Sequence, residues 1–145
     1  MKNHLTEAFE YDLWANLRWL EFQPKATPEE QNVFAHILMA QKLWSDRAMG
    51  NSPTDFPIVE AIQENLRSLT QSWIDLISTH DPEEVIHYKR TTGEPKSLQL
   101  GEIALHVTNH GTYHRGQIRG LCQARNCIDF PETDMVLYFW AKESI

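Results

Sequence analysis

The sequence has few cysteines, a deficit of basic residues and no long apolar run. No run approaches the roughly eighteen apolar residues that a membrane-spanning helix needs, and the N-terminal MKNHLTEAFEYDLW carries acids where a signal peptide is apolar. The 13 Lys and Arg residues are outnumbered by 20 Asp and Glu, and a net charge of -7 repels nucleic-acid phosphates and anionic membranes. We therefore expect a cytoplasmic protein with no nucleic-acid partner and no membrane partner.

The chain of 145 residues is long enough to bury a core without a disulfide scaffold. Its two cysteines, Cys122 and Cys127, are five positions apart. On a helix this spacing would place the two side chains on different faces. We therefore expect reduced thiols and no disulfide between them.

Helical periodicity runs along nearly the whole sequence. A content of 41% hydrophobic and 23% charged residues is typical of a folded protein, and we expect a single domain over residues 1–145. Apolar residues recur every three to four positions, and prolines and capping residues mark where segments end. The predicted helices cover residues 4–22, 28–49, 57–79, 99–125 and 131–142. The predicted fold class is all-α, a four-helix bundle with an additional C-terminal helix.

Two segments depart from this regular pattern. Residues 83–98 hold β-branched and aromatic residues around Gly93, which predicts a short hairpin or an irregular crossover before helix four. Gly111 and Gly116 lie inside helix four, where each weakens the helix by about 1 kcal/mol. We expect them to allow close packing against a neighbouring helix.

Three of the seven histidines, His106, His110 and His114, recur at steps of four and are the strongest functional signal in the sequence. Residues i and i+4 lie one above the other on a helix, so their imidazoles can share a metal ion. The outer two histidines are separated by about 12 Å of helical rise, too far for one ion. The ligand pair is therefore either His106 with His110 or His110 with His114.

His36 is the best-placed third ligand, because it lies in the middle of the predicted second helix on the face shared with Ala40 and Trp44. Bundles build metal sites from side chains on facing helices. Three neutral imidazoles leave a divalent ion with an exchangeable position, which is typical of catalytic sites. Such an ion lowers the pKa of a bound water or thiol, so either hydrolysis or thiol transfer is open.

Four segments of the sequence resemble the DinB/YfiT-like proteins, a metal-binding bundle family unrelated to the DNA polymerase that shares the first name. The segments are HVTNHGTYHRGQI at 106–118, YDLWAN at 11–16, AHILMAQKLW at 35–44 and DMVLYFW at 134–140. The resemblance implies a four-helix bundle and a homodimer. It also implies that His36, His110 and His114 are the metal ligands and that His106 is a neighbour.

The same resemblance implies a reaction. Characterised members of the wider family include metal-dependent transferases that use low-molecular-weight thiols such as bacillithiol, and a related mycothiol-dependent isomerase. By this likeness the protein would activate a small-molecule thiol as a metal thiolate and add it to an electrophilic small molecule bound between helices one, two and four. The candidate lining residues are Tyr11, Trp14, Trp44, Tyr113 and Arg115. Core packing is the alternative for the aromatic residues, and a surface ion pair for Arg115.

Other interpretations remain open at this point. The protein could be a noncatalytic metal-binding or stress-response protein, or a metal-dependent hydrolase that uses a metal-bound water. We expect one divalent ion, zinc or nickel or else iron, because imidazole suits all of these metals. The carboxylates of Asp12, Asp46 and Glu102 lie near the motifs, but their spacing singles out no general base.

Overall fold

The computed structural model describes residues 3–143 and consists mainly of helices. A turn of 3-10 helix, Gln23–Lys25, follows the first helix, and a two-stranded hairpin precedes the fourth. The helices are α1 (His4–Phe22), α2 (Pro28–Ala48), α3 (Gln63–Thr79), α4 (Leu100–Ala124) and α5 (Met135–Glu143), and the strands are β1 (Val85–Lys89) and β2 (Pro95–Gln99). The all-α bundle with a C-terminal helix is thus confirmed.

The beginnings of α1 and α2 follow from their capping residues. The Asn3 side chain accepts a hydrogen bond from the Leu5 amide at 2.7 Å, and α1 covers the predicted residues. At α2 the Thr27 hydroxyl accepts from the Glu30 amide, and the Glu30 carboxylate accepts from the Thr27 amide, each at 3.2 Å. This reciprocal capping box satisfies two amides that would otherwise lack partners, and it places the first turn of α2 directly after Pro28.

The predicted start of α3 at residue 57 is wrong, because the helix begins at Gln63. Phe56 would occupy the capping position of a helix starting at Pro57, and its side chain offers no hydrogen-bond acceptor. The chain instead runs without helix or strand to Ile62, and Ile58 is 93% exposed. Its apolar residues Val59 and Ala61 pack on the core from this irregular segment, so their spacing imitates that of a helix.

Between α3 and α4 the chain forms an antiparallel hairpin, one of the two predicted alternatives. Val85 pairs with Gln99 and Lys89 with Pro95, and Gly93 adopts a φ of 89° in the connecting turn. Tyr88 is the buried residue of β1, and its ring meets that of Trp44 on α2 edge to face at 5.2 Å. The hairpin therefore covers the end of the bundle where α2 ends.

The predicted start of α5 at residue 131 is also wrong, since the helix begins at Met135. The preceding segment is held against α1 in a nonhelical conformation. Thr133 accepts a hydrogen bond from the Trp19 indole at 3.1 Å through its hydroxyl and one from the Tyr11 hydroxyl through its carbonyl. Phe130 stacks parallel to Trp19, with ring centroids 6.5 Å apart. These contacts with a distant helix override the local helical pattern.

The C-terminal end of α4 reverses sharply. Asn126 adopts a left-handed φ of 60°, and its amide donates to the Gln123 carbonyl at 3.0 Å. The Cys127 amide then donates to the Cys122 carbonyl at 2.9 Å, which completes a Schellman motif. Cys127 therefore lies beyond the helix, so the argument from helical spacing against a disulfide does not apply to this pair. Both thiols are free.

Aromatic residues build the core. Phe9 on α1 stacks on Trp73 on α3 with centroids 5.1 Å apart, and the Trp73 indole donates to the Gln41 carbonyl of α2 at 3.1 Å. A second cluster surrounds Trp19 and Phe34 and includes Cys122. No helix within residues 3–143 is long and apolar enough to cross a membrane.

Candidate metal centre

Three histidines from two helices converge at one point of the bundle. The Nε2 atom of His110 lies 3.2 Å from Nε2 of His36 and 3.1 Å from Nε2 of His114. One nitrogen from each of the three rings lies within 4.8 Å of the other two. Two histidine ligands of a tetrahedral ion bring their nitrogens to about 3 to 4 Å, so the group could hold a metal ion.

The helices explain why these side chains meet. His110 and His114 are one turn apart on α4 and present adjacent rings with centroids 4.4 Å apart. His36 comes from the middle of α2, which packs along α4, and its ring lies 4.9 Å from that of His110. His114 is further oriented by Gln117, because its Nδ1–H donates to the Gln117 side-chain oxygen at 2.8 Å. That bond leaves the Nε2 lone pair of His114 free to bind a cation.

His106 lies outside the three-histidine group. Its ring is 5.5 Å from that of His110 and meets the Trp44 ring edge to face at 5.3 Å. Its nitrogens are not among those that converge. Of the two possible pairs on α4, the structure brings His110 and His114 together with His36.

The protonation state of the group suits a cation. Burial lowers the pKa of His110 to about 4, and repulsion from the charged forms of His114, His36 and His106 adds to this shift. Burial likewise lowers the pKa of His36, with a smaller contribution from His114. The neutral His110 ring carries one proton and faces two other imidazole nitrogens. A shared cation would satisfy all three lone pairs, so the residues present fit a divalent ion.

Aromatic side chains surround the histidines. The Phe56 ring lies 5.7 Å from that of His36, and Tyr113 meets His114 edge to face at 5.0 Å. Tyr113 is 71% exposed. The Trp44 ring contacts His106, which lies beside the three-histidine group. Phe56 and Gln117 were not predicted from the sequence. Gln117 is signalled only by its position three residues after a histidine, and Phe56 lies in a segment without a recognisable pattern.

Three of the five expected lining residues lie elsewhere. Arg115 follows His114 in sequence, but it projects about 100° away around α4 and faces α1. Its Nη1 donates to the Asp12 carboxylate at 2.7 Å and to the Asn16 side-chain oxygen at 2.8 Å. Arg115 is 2% exposed, so the alternative of a surface ion pair is wrong: the pair is buried. Tyr11 and Trp14 pack against Tyr138 of α5.

A pocket of about 330 Å³ occupies this other side of α4. Residues 131–135 form one wall, and α1 and α4 form the others, with Tyr11 and Arg115 in the lining. Gly116 also lines it and has no atom within 4 Å of an added Cβ, so the expectation of close helix packing there is wrong. At Gly111 the expectation is correct, because an added Cβ would lie 2.5 Å from the Asp12 carboxylate.

The three carboxylates near the motifs all have structural partners. Asp12 pairs with Arg115, and Asp46 pairs with Lys42 at 2.9 Å one turn away. Glu102 accepts from the Gln99 amide at 2.9 Å and thereby caps α4. No histidine, cysteine or carboxylate among residues 3–143 joins the three histidines as a fourth ligand.

Three imidazoles converge from two facing helices of this bundle. The chain thus has the features of a helical bundle protein that could bind a metal ion. Comparison with known families agrees: the DinB family model matches residues 1–123, which include all three histidines. The chain belongs to the DinB family. It is also similar to Protein DinB of Bacillus subtilis (strain 168), with 24% identity over 166 aligned positions that cover 97% of this chain and 96% of that protein.

Proposed function

We propose that this protein is a metal-dependent transferase that adds a low-molecular-weight thiol to an electrophilic small molecule. The observation that supports the proposal is the three-imidazole group of His36, His110 and His114, which no fourth protein ligand from residues 3–143 closes. A structural site is closed by four protein ligands, whereas a catalytic site leaves a position for an exchangeable one. The chain belongs to the DinB family. The resemblance to thiol-dependent members of the wider family favours a thiol in that position.

The chemistry of the donor set favours a strongly polarising ion. Three neutral imidazoles bring no negative charge, so the ion would keep its full double charge. When bound, a divalent ion supplies the electrostatic stabilisation that deprotonates a coordinating thiol near neutral pH. Zinc or nickel, or else iron, suits this set of nitrogen ligands.

The surrounding residues would position the reactants. Gln117 holds the His114 ring in the tautomer that presents Nε2. Phe56 covers one side of His36, and the exposed Tyr113 borders His114, so an apolar electrophile would meet aromatic surface at the edge of the group. The proposal retains Trp44 and Tyr113 as substrate-lining residues. Tyr11, Trp14 and Arg115 have other contacts and are not assigned to this site.

The proposal extends to two further expectations. Small-molecule thiols are kept reduced in the cytoplasm, so a protein that uses one is expected there. The likeness to the family also favours a homodimer. Sedimentation of the untagged protein would show whether it forms one.

The test is a transfer assay on protein purified without a histidine tag, after its metal content has been measured by elemental analysis. Cysteine, glutathione and bacillithiol are offered in turn with a chlorobimane electrophile, and product is followed by fluorescence. We expect thiol-dependent turnover that chelator abolishes and added metal restores. His114→Ala should lose the activity, whereas Tyr113→Phe, which keeps the ring beside His114, should retain most of it.

Two results would contradict the proposal. Stoichiometric metal without turnover for any thiol would indicate a noncatalytic metal protein. Metal-dependent cleavage of a nitrophenyl ester in the absence of thiol, with no transfer product, would indicate a hydrolase.

A further inference from the structure

The two cysteines flank the reversed end of α4. In a Schellman motif the side chain three positions before the helix cap contacts the side chain two positions after it. Cys122 and Cys127 occupy these two positions, because the Cys127 amide donates to the Cys122 carbonyl around the left-handed Asn126. Cys127 packs on the same core cluster that contains Cys122. Two thiol-bearing residues thus occupy the positions whose side chains usually make this hydrophobic contact.

The backbone hydrogen bond limits how far apart the two residues can be. Its N···O distance is 2.9 Å. Adding about 1.5 Å from nitrogen to its own Cα and about 2.4 Å from the carbonyl oxygen to the other Cα gives an upper limit near 6.8 Å. Disulfides occur with Cα atoms about 4.4 to 6.8 Å apart and are excluded only beyond about 7 Å. The Cα atoms of the pair are therefore close enough for a disulfide.

The two thiols have different surroundings. Cys122 is fully buried, and burial together with the adjacent Glu30 carboxylate raises its pKa to about 11. Glu30 is itself held by Arg125, whose Nε donates to it at 2.7 Å. Cys127 is only partly buried at the start of the segment that leads to α5. An external reagent thus reaches Cys127 first.

We propose that Cys122 and Cys127 are a redox pair that closes to an intrachain disulfide on reaction with low-molecular-weight disulfides. The inference depends on the end of α4 and not on the metal centre. It assigns a modification site to residues that the transferase proposal does not use.

The reaction proceeds by two exchanges. Cys127 loses its proton to solvent, and its thiolate attacks a small-molecule disulfide, forming a mixed disulfide and releasing one thiolate. The Cys122 sulfur then attacks Sγ of Cys127, its proton passes to Glu30 or solvent, and the second small-molecule thiolate leaves. Two protein thiols are oxidised to one disulfide, and one small-molecule disulfide is reduced to two thiols.

The sequence offers a direct assay. Trypsin cleaves after Arg119, Arg125 and Lys142, so the cysteines fall on separate peptides, residues 120–125 and 126–142. The metal-loaded, full-length protein is incubated with oxidised glutathione, quenched with acid, alkylated and digested without reductant. We expect the two peptides to be recovered joined, with the intact monomer lighter by two hydrogens and both alkylatable thiols lost.

Single variants establish the order of the steps. Cys122→Ser should accumulate a stable glutathione adduct on Cys127. Cys127→Ser should form its adduct at least about tenfold more slowly than that variant, because Cys122 is buried and protonated. Unfolding both variants in urea should abolish the difference. His114→Ala should cross-link at the wild-type rate, which separates this proposal from any failure of the metal centre.

Three results would overturn the inference. The first is a wild-type protein that keeps a stable mixed disulfide on Cys127 and never yields the joined peptides. The second is a disulfide that forms only between two chains, seen as a dimer on nonreducing gels. The third is equal reactivity of the two single variants in the folded state.

Discussion

The Asp12 carboxylate and the Arg115 guanidinium form an ion pair inside the bundle, with an oxygen 2.7 Å from Nη1 and each residue 2% exposed. The pair joins α1 to α4, and its Arg115 directly follows His114 of the candidate metal centre in the sequence. Asn16 and Thr112 accept further hydrogen bonds from the same guanidinium. Gly111 lies against both charged groups, and only a residue without a side chain leaves them this space.

Replacing Gly111 with alanine should therefore destabilise the protein despite the better helix propensity of alanine. The added Cβ would lie 2.5 Å from the Asp12 carboxylate and 2.9 Å from Arg115 Nη1. We expect a loss of about 1 to 3 kcal/mol in the free energy of unfolding, measured in urea. Gly120→Ala is the matched control on the same helix. It meets no atom within 4 Å and should stabilise the protein by up to about 1 kcal/mol. Equal effects of the two substitutions would show that Gly111 is not under steric constraint.

His36→Ala should abolish stoichiometric metal binding while leaving the helical circular dichroism largely intact. His36 is the contribution of α2 to the convergent nitrogens, and its side chain is only partly buried. Elemental analysis after dialysis measures the loss. His87→Ala, which removes an exposed histidine of the hairpin, should keep its metal. Undiminished metal in His36→Ala would exclude a site between the two helices.

His114→Ala and His106→Ala should differ strongly in metal affinity. His114 presents a convergent Nε2, whereas His106 packs on Trp44 outside the group. Losing His114 should therefore weaken binding severely, and losing His106 by at most about 10 to 100-fold, as for a residue that only supports a ligand. Competitive titration of both variants at one pH measures the order. The opposite order would identify His106 and His110 as the ligand pair.

The chelated protein should become less stable as the pH falls from about 6.5 to about 4. Unfolded histidine has a pKa near 6.5, and burial lowers that of His110 to about 4 in the folded protein. Between these values the unfolded chain binds more protons, so acid favours unfolding. Urea titrations across this range measure the slope, which His110→Asn should flatten. An unchanged slope in that variant would show that His110 does not contribute.

Chelation itself should lower the melting temperature at neutral pH. An ion that binds only the folded protein stabilises it by about 4 kcal/mol at a thousandfold excess over its Kd. Calorimetry with and without chelator measures the difference, and His36→Ala should show none. A melting temperature of the wild type that is indifferent to both chelator and added metal would mean that the histidines do not hold an ion.

Local signals were sufficient to predict much of the fold. The side chains of Asn3 and Thr27 cap their helices by accepting hydrogen bonds from amides two or three residues away. A short stretch of sequence is therefore enough to predict where α1 and α2 begin. The start of α5, in contrast, depends on contacts far along the chain. Thr133 is held by Trp19, 114 residues away, and this contact keeps the segment before α5 nonhelical.

The candidate site shows the same division. The spacing of His106, His110 and His114 on one helix predicts two possible ligand pairs, and it cannot choose between them. Only the packing of α2 against α4 settles which rings face His36. Arg115 could not be placed from sequence because its partner Asp12 is 103 residues distant, and a charged residue is mostly exposed unless it is paired.

The separation of 74 residues between His36 and His110 has a consequence for the order of assembly. All of α3 and the hairpin lie between these two histidines. In an unfolded chain, an ion that joined them would have to close this long loop at an entropic cost, with nothing else yet formed to offset it. Zinc fingers behave differently, because the metal drives folding of a short loop. We therefore expect a metal ion to bind the bundle after it has folded, and not to drive its folding.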